Sequence, residues 1–170
     1  GHSIGTIKAW TKQLFEMPGG LKSQLHPGVL ELLRGGENHG LVPLAISASN
    51  LWSTELAGRY LGIPPRHCRG IRTAVRAQIL TPEIEAPIPF GEGKVEAIQT
   101  ICGGLPTLAL GDSFEATDKE MLQKASCAGV ISPGTEEAAM RLKHCAQPHW
   151  FTLEPQRAQF ERISSLKADD

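Results

Sequence analysis

Apolar residues at Ile4, Ile7, Trp10, Leu14 and Phe15 recur at close to helical spacing, and Pro18-Gly19-Gly20 closes the pattern, so residues 4–17 are predicted to form an amphipathic helix. A second helix is predicted over 27–34, with Pro27 in its first turn and Gly35-Gly36 past its end. Residues 41–46 form a continuous apolar run with one early proline, which reads as a buried strand. The polar loop Ser47-Ala-Ser-Asn50 and a helix over 51–61 follow, closed by Gly62-Ile-Pro-Pro65. Short strands are predicted at 70–75 and 78–80, then an exposed loop rich in proline and glycine over 81–93. The remaining pattern predicts helices at 94–101, 119–124, 136–144 and 156–166, and strands at 107–110, 129–132 and 150–153.

Strands alternating with helices predict an α/β fold, a mostly parallel sheet with helices on both faces. At 170 residues the chain suits one domain. Seventeen lysines and arginines against 18 acidic residues give a net charge of −1, scattered along the chain. That leaves no footprint for nucleic acid or an anionic membrane and favours a small-molecule partner. Apolar runs are strand-sized, so no membrane span is expected, and a cytoplasmic location fits. Cys68, Cys102, Cys127 and Cys145 are isolated from one another, without metal-site spacing, and read as reduced, packed thiols. His26, His39, His67 and His149 lie in turns or beside proline, where solvated or capping roles suffice. Trp10, Trp52 and Trp150 suit core or cap packing, although Trp52, just past the Ser47 loop, could face a substrate.

Three polar clusters fall at strand ends or beside them: Ser47-Ala48-Ser49, Gly91-Glu-Gly-Lys94, and Gly111-Asp112-Ser113 with Asp118. A hydroxyl, a lysine and two carboxylates are the parts needed to hold a phosphoryl group: a donor, a balancing cation and an anchor for Mg²⁺. Each cluster also has a bland reading. Ser47 could cap the next helix, and Lys94 could be a solvated lysine at a helix start, where the dipole disfavours it. Gly91-Glu-Gly-Lys94 fails as a nucleotide P-loop, because Ile88 and Val95 stand where glycine and serine or threonine are needed. It fails as a dinucleotide fingerprint because Glu96 replaces the third glycine, and Ser47 and Ser49 lack the glycine-flanked elbow of a hydrolase nucleophile.

Leu44-Ala-Ile-Ser-Ala-Ser49, Gly91-Glu-Gly-Lys-Val-Glu-Ala-Ile98 and Leu108-Ala-Leu-Gly-Asp-Ser113 with Asp118 resemble, in order and spacing, three motifs of the haloacid dehalogenase superfamily. They are similar to its second, third and fourth motifs, in the phosphoserine-phosphatase-like branch. The resemblance covers residues 26–134 and implies a Rossmann-like core. By it, Ser47, with Ala48 and Ser49, would bind the phosphoryl group, and Lys94 would stabilise its charge. Asp112 would ligate Mg²⁺, Asp118 would hold Lys94 or the metal's water shell, and Ser113 would line the same loop. The implied reaction is hydrolysis of a small phosphomonoester through an aspartyl-phosphate.

The family's first motif, Asp-x-Asp, supplies the nucleophile, and no aspartate precedes Asp112 here. The strand that carries it would lie between strands 41–46 and 107–110. The expectation is therefore a C-terminal portion of a longer enzyme, inactive alone, with residues 1–24 a remnant of a helical cap or a leading helix and 25–170 an incomplete core. The gap would be filled by the chain's own missing N-terminal segment, by a second copy, or by a rewired segment such as 150–153. The alternative is a non-catalytic phosphate-binding or interaction module that kept the scaffold and lost the nucleophile.

Overall fold

The computed structural model describes residues 1–112, 116–131, 150–153 and 160–162. The expected helix over 136–144, Ser113 and Cys145 lie outside the described residues.

Helix α1 (Ile4–Glu16) starts where Ser3 Oγ accepts a hydrogen bond from the Thr6 amide at 3.1 Å. It buries Thr11 and Phe15, and Phe15 stacks on Tyr60 with ring centroids 5.9 Å apart. Trp10 does not join that core: it is half exposed and meets His2 edge-on. Helix α2 (Pro27–Asn38) runs past the expected stop at Gly35-Gly36. Glycine only weakens a helix interior, and Gly36 also accommodates the Leu41 side chain. The helix ends instead at Asn38, and Gly40 just beyond the His39 cap has a φ of +81°, which suits glycine.

Strand β1 (Ala45–Asn50) begins later than the apolar run and continues through Ser47, Ala48 and Ser49, which the sequence placed in a loop. Parallel pairing with β2 (Cys68–Arg76) holds this polar stretch extended, with an irregular register between Ile46 and Asn50. Helix α3 (Leu51–Leu61) connects the two strands. A tight turn with positive φ at Ala77 and Gln78 leads from β2 into β3 (Ile79–Glu85). Part of the expected loop over 81–93 is thus strand, and Pro82 is tolerated because β3 is an edge.

Helix α4 (Glu92–Cys102), β4 (Leu108–Gly111), α5 (Lys119–Lys124), β5 (Cys127–Ile131) and β6 (Trp150–Leu153) follow. β6 lies parallel to β5 and carries β7 (Phe160–Arg162) antiparallel on its other side. Residues 160–162 are therefore strand, where the periodicity predicts helix; an available sheet edge outweighs a weak amphipathic pattern.

The result is a mixed α/β fold with parallel strands and flanking helices, of Rossmann-like type. Its sheet is in two pieces, ordered β1-β2-β3 and β4-β5-β6-β7. β1 and β4 are both terminal strands among the described residues, and β6 does not bridge them. A cavity of about 350 Å³ lies along β1 and β4, walled by α2, Leu44 and Ile46 on one side and by Ala109 and Leu110 on the other, with Ile98 and Met121 lining it as well. The main core of Val95, Ile98, Ala109, Met121, Leu122, Ala125, Ala128 and Val130 packs beside it. No helix among the described residues is long and apolar enough to cross a membrane.

Candidate functional site

The start of α4 is shaped by close approach. Gly91 sits at φ +55°, and a Cβ on Gly93 would stand 1.9 Å from the Ile88 carbonyl oxygen, so the turn requires glycine there. The Gly91 amide donates to the Thr117 carbonyl at 3.2 Å, tying this turn to the segment before α5. Lys94 therefore enters the protein in the first turn of α4, and only 6% of its surface is exposed.

Its ammonium meets the Asp118 carboxylate, itself 3% exposed, in a buried ion pair. Asp118 stands at the N-terminus of α5 without capping it, because its side chain turns to Lys94. The Thr117 hydroxyl donates to the same oxygen at 3.4 Å. Behind the carboxylate, a Cβ on Gly111 would come within 2.6 Å of Asp118 Oδ2, so glycine at the end of β4 makes room for the pair. A lysine at a helix N-terminus faces an unfavourable dipole, and the carboxylate offsets it.

Ser47 is half-buried in β1, and its hydroxyl accepts a hydrogen bond from the Ser49 amide at 3.1 Å. Ala48 is half-buried and Ser49 exposed. Ser47 does not cap α3: Asn50 does, with Oδ1 accepting from the Ser53 amide at 2.9 Å. Asp112 is exposed, immediately after Gly111 at the end of β4. Lys94 and Asp118 are thus brought into contact, Asp112 follows the glycine that backs Asp118, and α4 packs against β1, which carries Ser47.

Asn50 and Thr117 escaped the sequence reading; an asparagine directly before an apolar helical run was the available signal for the first. Also unread was Glu120, whose Oε2 is buried without a hydrogen-bond partner on the side facing Gly91. Trp52 is half-buried and lines a groove of about 170 Å³ with Lys8, Lys12, Glu55 and Arg59.

Mg²⁺ prefers one or two carboxylates completed by water and phosphate oxygens. Asp112 can offer one ligand, whereas Asp118 is committed to Lys94. Among the described residues no group of three or more His, Cys, Asp or Glu is placed to hold a cation, so these residues do not complete a site.

The fold has counterparts among solved structures. The fold is like that of a phosphoserine phosphohydrolase-like protein. That protein, from Francisella tularensis subsp. tularensis SCHU S4, superposes with a TM-score of 0.61 at 18% identity, over 87% of this chain and 65% of its own. A protein with unknown function from Bordetella pertussis Tohama I superposes with a TM-score of 0.71, also at 18% identity, over 90% of this chain and 68% of its own. The chain thus spans about two thirds of the length of these proteins. No protein-family model matches the sequence, and no curated protein does.

Proposed function

We propose that this chain carries the phosphate- and metal-handling part of a Mg²⁺-dependent phosphatase acting on small phosphomonoesters, of the haloacid dehalogenase type. The observation that carries the reading is the buried Lys94–Asp118 pair at the strand end that also bears Asp112. A lysine fixed by a carboxylate is held in position, and a preorganised basic group is what a phosphoryl group in transfer needs. Ser47 would donate its hydroxyl to the phosphoryl oxygens, with Ala48 and Ser49 flanking it. Lys94 would balance charge as it develops, and Asp118 would hold Lys94 in place. Asp112 would be the chain's own ligand to Mg²⁺, which when bound would neutralise charge on the phosphate. The nucleophile would come from outside these 170 residues, since no aspartate precedes Asp112. The likeness to a phosphoserine phosphohydrolase-like fold supports the reaction class.

The non-catalytic alternative draws on the incomplete cation site among the described residues. Hydrolysis of p-nitrophenyl phosphate by the full gene product, with and without Mg²⁺, separates the two. The phosphatase reading expects Mg²⁺-dependent turnover that falls at least about a hundredfold in Asp112→Asn. It expects no turnover from the 170-residue chain alone. Full activity in Asp112→Asn would overturn it.

A further inference from the structure

We propose that the groove between α1 and α3 is a binding site for a small organic anion, one phosphate or carboxylate group on a compact apolar body. The groove shares no residue with the Lys94–Asp118 cluster, so the inference does not rest on the phosphatase reading.

Helical spacing builds the groove. Leu51, Thr54 and Gly58 turn toward β2: a Cβ on Gly70 would meet Leu51 and Thr54, and a Cβ on Gly58 would stand 2.6 Å from the Cys68 thiol. Trp52, Leu56 and Arg59 therefore fall on the opposite side of α3, where α1 packs. On α1, Thr11 and Phe15 are buried, while Lys8 and Lys12, one turn apart, line the groove beside Thr11. Three cations thus surround the apolar surface of Trp52 and Leu56, and Glu55 is the one acid among the lining residues.

Two independent observations point to a ligand. Lys8 and Arg59 form no ion pair among the described residues, although Glu55 lines the same groove, and Lys12 has only an exposed 3.8 Å contact with Glu16. Like charges one turn apart repel, so the groove keeps an excess of positive charge that an anion would relieve. Separately, Thr11 is only 7% exposed, and its hydroxyl makes no hydrogen bond among the described residues. Polar groups so buried normally have a partner, and a phosphate or carboxylate oxygen would accept from this one. The volume, about 170 Å³, is about six times the ~30 Å³ share of a water molecule, room for one charged group and one small ring. Arg59 can fork onto two oxygens of that group, the lysines add point charges, and Trp52 can take the ring. Glu55 disfavours a ligand with negative charge at both ends, which restricts the class to a single acid group.

The test is an amide NMR titration of the 170-residue chain with phenylphosphonate, which has no phosphoester bond to hydrolyse, and with benzoate and neutral benzyl alcohol beside it. The acids should shift the Thr11 and Arg59 amides and the Trp52 indole N–H saturably, the tighter with a Kd of about 1 mM or below. Whichever acid binds more tightly identifies the charged group the groove takes. Benzyl alcohol should leave these signals in place. Arg59→Gln, at an exposed position, should weaken binding at least about tenfold, and Lys8→Gln at least about threefold. Thr11→Val keeps the side-chain shape without the hydroxyl and should weaken binding at least about threefold; if it does not fold, the two exposed variants decide. The proposal is overturned if the shifts gather at Gly111 and Asp112 instead, or if benzyl alcohol binds as tightly as the acids. It is equally overturned if Arg59→Gln binds unchanged, or if no signal saturates.

Discussion

The Lys94 ammonium and the Asp118 carboxylate are buried against each other, although 24 positions separate them and one starts α4 while the other precedes α5. The contact holds two loops of the strand-end region together, and its cost is the desolvation of both charges. Asp118→Asn should destabilise the chain by about 3–5 kcal/mol, because a buried ammonium is left without its counter-charge. Urea unfolding measures this. Lys94→Met combined with Asp118→Leu should recover at least about half of the loss; a double variant as unstable as the single one would show that the charge pair is not the source.

Gly111→Ala tests the room made for that carboxylate. A methyl group there would stand 2.6 Å from Asp118 Oδ2 and 2.8 Å from its Cβ, and β4 is held by pairing with β5, so the Asp118 side chain and the backbone that carries it have to shift. A loss of about 1–3 kcal/mol is expected, with no change in secondary structure by circular dichroism. Because the Asp118 Cβ also lies 2.8 Å from that methyl, the same substitution should cost little only in Asp118→Gly, which makes that pair a double-mutant cycle.

Ser47 and Asn50 are three residues apart and should separate function from stability. Asn50→Ala removes the cap of α3 and should lower stability by about 1 kcal/mol, seen as a lower Tm. Ser47→Ala leaves that cap intact and should shift Tm little. Under the phosphatase reading it should weaken phosphate binding, measured by titration calorimetry on the full gene product; unaltered binding would remove Ser47 from the site.

The cysteines differ in reactivity by environment. Burial pushes the Cys68 thiol above its ordinary pKa, with the Glu55 charge adding to the rise and Arg69 opposing it. Burial raises Cys127 as well. Cys102 is exposed. In native alkylation near pH ~8, Cys102 should label first and Cys68 last, read by peptide mass spectrometry. Since the folded thiol holds its proton above the pH at which the unfolded thiol loses it, this contribution to stability is full below the ordinary thiol range. It fades as pH rises through the folded value.

Where a local signal was strong, the sequence was legible to the residue. Helix α3 over 51–61 and α5 over 119–124 fall where the apolar spacing and flanking turns put them, because caps and periodicity act within a few residues. The polar stretch Ser47 to Asn50 was not legible as strand: nothing in Ser-Ala-Ser-Asn favours extension, and only pairing with β2 supplies it. Residues 160–162 failed for the same reason, their state being set by the edge of β6. Contact between Lys94 and Asp118 was expected from the resemblance in motif order, whereas the closeness of Gly111 to Asp118 depends on groups from separate elements meeting.

By itself, then, the sequence determined the alternation of strands and helices, the absence of any aspartate before Asp112, and the three polar clusters. Those are consequences of local periodicity and residue chemistry. Tertiary structure alone decided that Lys94 is paired and buried, that Trp10 stays outside the core, and that β1 and β4 face an apolar space without a partner strand among the described residues. Burial and strand pairing are properties of distant segments brought together, and a linear pattern carries neither.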